Sequence, residues 1–212
     1  MTDASTQELI RAVQQAASSA SLISAVRNLA AAEDEAAIST LIAVLGYNNP
    51  AAAAAAVEGL IALKEVAVQP LIEQLDQYDY GARAYAIRAL AAIADPRALD
   101  LLVTAAATDF APSVRRAALA GLGKLHWSGL NVSDRPQAQE RAFQTLLSVF
   151  QDLDWSIRYA AVVGLQALSM TTNLQAQIQL ELQQITQTES DTTVRSRICL
   201  AQQVLSTDIK TG

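Results

Sequence analysis

Apolar residues recur along this chain at the three- and four-residue spacing of a helix face, and one twelve-residue version of that pattern keeps returning. Residues 114–125 read V-R-R-A-A-L-A-G-L-G-K-L and residues 157–168 read I-R-Y-A-A-V-V-G-L-Q-A-L. Residues 52–63 and 82–93 fit the same template, and residues 194–205 follow it more loosely. The arginine of the pattern stands at Arg83, Arg115, Arg158 and Arg195, spaced 32, 43 and 37 residues apart. Self-similarity at such periods predicts stacked helical hairpins, each unable to bury its apolar face alone. The expectation is an all-α protein, an α-solenoid of about five to six hairpins forming one continuous domain over residues 1–212.

The remaining helices follow from the same periodicity. Residues 5–17 and 21–32 predict a polar-faced first hairpin that caps the stack, with serines as N-caps. Residues 36–45 place Ile38, Leu41, Ile42 and Leu45 on one face before the turn at 46–50. The segment 68–75 pairs with 82–93, Pro70 being tolerable in a first turn, and 99–107 pairs with 114–125. An irregular insertion, 126–136, interrupts the pattern and lengthens one interval. Pairs 141–150 with 157–168 and 174–185 with 194–205 complete the array. An aspartate stands four residues before three of the repeat arginines, as Asp79/Arg83, Asp154/Arg158 and Asp191/Arg195. Each aspartate is placed to cap its helix, and each arginine to reach an aspartate of a neighbouring repeat.

Composition narrows the function classes. The chain is 51% apolar but only 5% aromatic, and alanine leads the repeats; alanine is the best helix former and lets backbones approach closely. The net charge of −6 argues against nucleic acid, which needs clustered Lys and Arg. Cys199 is the single cysteine, so no intrachain disulfide can form; set between Ile198 and Leu200, it is expected as a small buried hydrophobe. A basic leader and an uninterrupted apolar run of membrane-spanning length are both missing, so a soluble, cytoplasmic protein is expected. One histidine excludes a multi-histidine metal site, and the sequence holds no Gly-rich phosphate loop and no G-x-S-x-G elbow. No metal or cofactor of its own is therefore expected, nor a conventional active site built wholly from this chain.

Candidate chemistry lies on the outward stripe of the second helices. It carries Ala54, Glu58 and Ile61; then Ala84, Arg88 and Ala91; then Arg116, Ala120 and Lys124; then Tyr159, Val163 and Gln166. An ordinary solvent-facing helix carries far more Lys and Glu. The stripe fits a covering protein surface, or a flat apolar ligand whose acidic groups pair with Arg88, Arg116 or Lys124; an alanine-rich protein using alanine everywhere is the plainer account. His126 and Trp127 in the insertion suit a ligand wall or a partner anchor, or else Trp127 folds back onto the stack and leaves His126 exposed. Trp155 and Tyr80, each just after a capping aspartate, are candidate contacts at one rim.

The Asp-x-x-hydrophobic-Arg element resembles HEAT-type repeats across nearly the whole chain. The repeats at 82–98, 114–123 and 157–165 look like those of phycobiliprotein lyases. Within that family the length and the G-K-L-H-W stretch at 123–127 are most similar to the smaller subunits of the heterodimeric E/F type. That resemblance implies a subunit, active with a longer HEAT-like partner, that attaches phycocyanobilin to a cysteine of the phycocyanin α subunit through a thioether, and that also transfers or removes the bilin. It implies phycocyanobilin as substrate. Related isomerising lyases carry a Cys/His motif, whereas the one cysteine here lies far from the one histidine, which argues against isomerisation. On this reading Arg88, Arg116 and Lys124 would pair with the two propionates, and His126, Trp127 and Tyr159 would contact the pyrrole rings. A second reading is a non-catalytic HEAT-like adaptor that binds phycobiliproteins during assembly or breakdown.

Overall fold

The computed structural model describes residues 3–74 and 80–208. Asp79 lies outside them, as does the side chain of Tyr80. Among the described residues the secondary structure is helical: α1 (Asp3–Gln14), α2 (Ser19–Ala31), α3 (Ile38–Leu45), α4 (Pro50–Ala62), α5 (Val68–Gln74), α6 (Tyr80–Ile93), α7 (Leu99–Thr108), α8 (Pro112–Leu122), α9 (Arg135–Ser148), α10 (Trp155–Ser169), α11 (Gln175–Thr188) and α12 (Thr192–Asp208), joined in places by single 3₁₀ turns. The chain divides into two compact units, Met1–Ile93 and Ala94–Gly212.

In the first unit α1–α2, α3–α4 and α5–α6 form hairpins. Ser18 caps α2 in a reciprocal box, its hydroxyl accepting from the Ser21 amide at 3.1 Å while the Ser18 amide donates to the Ser21 hydroxyl at 3.0 Å. Asn49 caps α4, accepting from the Ala52 amide at 3.1 Å. These caps satisfy amides that a helix start otherwise leaves without a partner. Packing relies on small residues: a Cβ built on Gly59 of α4 would stand 2.6 Å from the Ala30 Cβ of α2. The turns after α2 and α4 place Glu33 and Lys64 at φ 49° and 56°, left-handed conformations that cost a non-glycine residue of order 1 kcal/mol.

In the second unit α7–α8, α9–α10 and α11–α12 pair. Its core includes Val114, Ala118, Leu122 and Leu125 from the repeat, together with Phe143, Ile157, Leu165 and Ile198. Helices α8 and α10 touch through their main chains. A Cβ on Gly123 would lie 2.0 Å from the Gly164 carbonyl oxygen, and one on Gly164 would lie 2.5 Å from the Leu119 carbonyl oxygen. Only glycine fits there.

An arginine–carboxylate ladder ties these hairpins together, with a correction to the expected partners. Asp154 and Asp191 do cap their helices, accepting from the Ser156 and Thr193 amides at 2.8 Å each. The arginines bind a different acid, two residues earlier in the neighbouring turn. Arg115 donates to Asp152 at 2.6 Å, and Arg158 grips Glu189 with two bonds of 2.8 Å. The same acids accept from the Asp154 and Asp191 amides. Each therefore joins two hairpins and orders its own turn. The Arg158 guanidinium, above all, holds the Glu189 carboxyl below its ordinary value of 4.5.

Two sequence expectations shift. Helix α9 begins at Arg135, so the insertion is shorter than 126–136: Pro136 sits in the first turn, where its missing N–H costs nothing. Cys199 is exposed. Its counterparts one and two repeats earlier, Val162 and Leu119, are fully buried, because another helix of the unit packs over each of them.

Candidate functional site

The stripe of the second helices forms a groove in the second unit. Its volume is about 590 Å³, and its walls are Arg116 and Ala120 of α8, Trp155, Ser156, Tyr159, Ala160 and Val163 of α10, and Thr193 of α12. The main-chain contact at Gly123 and Gly164 sets the spacing of α8 and α10, and residues one face away from that contact line the trough. Alanine at 120 and 160 keeps the floor low. Val163 and Tyr159, four residues apart, share one face of α10.

The polar groups of the groove are few and anchored. Arg116 Nη1 donates to the Ser156 hydroxyl at 3.0 Å. Ser156 in turn bonds Asp154 through its hydroxyl and its amide, and these two bonds hold that carboxyl below its usual range, with smaller help from the charges of Arg116 and Arg115. Trp155 and Tyr159 meet edge to face, centroids 6.4 Å apart at 88°, a favoured aromatic geometry. Trp155 remains 47% exposed, so much of its indole is open to a ligand. Behind Tyr159 the Arg197 guanidinium lies 5.9 Å from the ring centroid, and its Nη2 donates to Gln166 Oε1 at 2.6 Å.

The structure brings together two of the six residues singled out from sequence, Arg116 and Tyr159. Lys124 is exposed in the turn just after α8, two residues beyond the helix end at Leu122. Arg88 belongs to the first unit, where it is exposed with its guanidinium 5.6 Å from the Tyr85 ring centroid; Ala91 of that stripe is buried. Trp127 is 5% exposed, folded onto the stack with its ring covered, while His126 is exposed. The His126 amide donates to the Ala94 carbonyl at 2.8 Å, which holds the short turn down. Trp155 takes the aromatic place in the groove that the sequence reading offered to Trp127. Arg197 was missed because α12 follows the repeat only loosely and the arginine stands where α10 has Ala160. Among the described residues no cluster of His, Cys, Asp or Glu is arranged to hold a metal, and no helix is long and apolar enough to cross a membrane.

Comparison with known proteins adds three findings. A model of HEAT repeats matches residues 68–140. The chain is 57% identical to the phycocyanobilin lyase subunit beta of Nostoc sp. (strain PCC 7120), over 93% of this chain and 98% of that one. It is 50% identical to the phycocyanin alpha phycocyanobilin lyase CpcF of Synechocystis sp. (strain PCC 6803), over 77% of this chain and 76% of the relative. Among solved structures, a polypeptide in the complex of CpcE and CpcF of phycocyanin lyase from Nostoc superposes with a TM-score of 0.76 at 59% identity, covering 80% of this chain and 99% of its own length.

Proposed function

The chain belongs to the family of phycocyanobilin lyase β subunits, and from that membership we propose that the groove between α8, α10 and α12 is where it holds phycocyanobilin. As such a subunit it works in a heterodimer with a CpcE-type partner and attaches the bilin to a cysteine of the phycocyanin α subunit. The observation that carries the groove assignment is its make-up: an apolar trough about 590 Å³ in volume with an aromatic pair on one wall and an arginine on another.

The substrate matches that make-up piece by piece. An open-chain tetrapyrrole is flat and largely apolar, so Ala120, Ala160 and Val163 give it a surface without bulk, and the open indole of Trp155 offers a stacking face. Its propionates are anions, and a guanidinium recognises a carboxylate through paired N–H bonds. Arg116, held at the groove wall by Ser156, is the first such receptor.

In the reaction, the acceptor cysteine adds as thiolate to the ethylidene of ring A. A carbon–sulfur bond forms, the ethylidene π electrons move into the tetrapyrrole, and a proton is taken up there. The nucleophile comes from the acceptor protein, so this chain needs no triad. Its contribution is to hold the bilin in one orientation, which removes much of the entropic part of the barrier, and to shield it from competing additions.

Replacing Arg116 with Glu in the two-subunit complex tests the assignment. Covalent bilin transfer to apo-phycocyanin α, followed by absorbance of the denatured product, is expected to fall at least about tenfold, the loss of one charge-assisted contact. The thermal unfolding temperature should fall only slightly, since Arg116 is exposed and gives up one bond to Ser156 and a weak attraction to Asp154. Transfer at the wild-type rate would remove the groove from the mechanism.

A further inference from the structure

Arg197 has a property that its neighbours lack. In the ladder of the second unit, Arg115 is neutralised by Asp152 and Arg158 by Glu189. At the groove, Arg116 bonds only the neutral Ser156, although the nearby Asp154 charge partly offsets it. Arg197 bonds only the neutral Gln166 amide, and its Nη1 is buried without any acceptor. Among the described residues no carboxylate pairs with it. A buried guanidinium N–H left unbonded is unfavourable, since it has lost water and gained nothing in exchange. An alanine-rich stack would be more stable with an apolar residue there, so the cation's use is not in packing.

Position suggests that use. Thr193 lines the groove, and Arg197 lies four residues further along α12, about 6 Å away in rise. Tyr159 lines the groove too, and the Arg197 guanidinium lies 5.9 Å from its ring centroid. Gln166, which fixes the guanidinium, continues the Tyr159–Val163 face of α10. Arg197 thus lies behind the Tyr159 and Thr193 walls of the trough, on its α12 side, whereas Arg116 stands on the α8 side.

We infer that Arg197 is a second carboxylate receptor of this groove, so that a ligand with two propionates is gripped by Arg116 through one and by Arg197 through the other. The inference rests on the bilin reading of the groove and extends it to a residue the sequence pattern did not offer. Gln166 and Tyr159 hold the guanidinium in place before the ligand arrives, which lowers the ordering cost of binding.

The test is a cycle between protein and ligand, run on the two-subunit complex with phycocyanobilin and with its dimethyl ester, whose propionates carry no charge. Affinity is measured by absorbance titration for wild type and for Arg197→Gln, with thermal unfolding as a check on folding. The expected result is a loss of about tenfold for the free acid in R197Q, the size of one charge-assisted hydrogen bond, and equal affinities of the two proteins for the ester. Arg197→Lys, which keeps the charge but not the fork, should fall between. Equal losses on acid and ester would mean that Arg197 only braces Tyr159 and would overturn the inference, as would no loss on either. An R197Q result of that kind alongside a clear Arg116→Glu defect leaves the bilin site standing; a wild-type complex that binds neither ligand would sink both.

Discussion

The two units are built by one rule but carry different cargo. In the first, α4 presents Ala54, Glu58 and Ile61 and α6 presents Ala84, Arg88 and Ala91, and the place of Arg115 and Arg158 is held by Ala53 in α4 and by Arg83 in α6. In the second, α8 and α10 present Arg116, Ala120, Tyr159 and Val163 and frame a groove. Both close their helices on glycine, Gly59 against Ala30 and Gly164 against Leu119. Small residues at the contact are thus enough to make the fold. The arginines, aromatics and turn acids are additions at positions the fold leaves free, which is why the groove chemistry can be read separately from the packing.

The sharpest way to break the comparison is at the shared glycine. Gly164→Ala pushes a methyl into the Leu119 carbonyl and Leu146, both 2.5 Å away. It should lower the free energy of unfolding by about 3 kcal/mol, an overpacking cost larger than the ~1 kcal/mol of helix propensity that alanine brings. Gly59→Ala meets a side-chain methyl instead of a carbonyl, and should cost about 2 kcal/mol. Urea denaturation of both variants checks the ranking; an unchanged midpoint for Gly164→Ala would mean that the helices part easily.

The ladder offers the next test. Glu189 is buried against Arg158, 4% and 11% exposed, so Glu189→Gln should cost about 2 kcal/mol at neutral pH. The pH dependence follows from the lowered carboxyl value. Its stabilisation is complete above the ordinary 4.5 and is lost as pH falls through the lower folded-state value. Between pH 6 and 3, taken as roughly the span of carboxylate titration, thermal unfolding of Glu189→Gln should drop less steeply than wild type. Parallel curves would deny the pair its role.

Function separates the units with a smaller effect. Arg88→Glu and Arg116→Glu make the same change at equivalent outward stripes. Bilin transfer should fall about tenfold for Arg116→Glu, or 1.4 kcal/mol, and stay within about twofold for Arg88→Glu, roughly 0.4 kcal/mol. Equal defects would place ligand contacts on the first unit as well. A similarly small effect is expected for Leu153→Ser. This side chain is 99% exposed, and stability should move by no more than about 0.5 kcal/mol in the same denaturation assay.

Much of this was legible in the residues, and the failures have causes. Periodicity located the hairpins because apolar spacing at 3.6 residues depends only on neighbours within one helix. It placed Arg116 and Tyr159 on one outward stripe because both obey the repeat, and both line the groove. For Trp127 it left a ligand wall and packing onto the stack both open, and the covered ring matches the second. It expected Cys199 to be buried because apolar neighbours signal a buried face, whereas exposure depends on whether another hairpin follows in space. The ladder's acids were displaced by two residues because Asp152 and Glu189 act across a turn, and that distance is not encoded in helix periodicity. Arg197 was invisible for the same reason: its partners, Gln166 and Tyr159, belong to another helix.

The bare-backbone contact between α8 and α10 gives the groove a fixed gauge. With Gly123 facing the Gly164 carbonyl, no side chain acts as a spacer, so exchanging rotamers elsewhere cannot widen or narrow the interval between the wall bearing Arg116 and the wall bearing Tyr159. On the proposed bilin assignment, adapting this subunit to a differently shaped pigment would have to proceed by exchanging the residues that line the trough, because the distance between its walls is written in the main chain.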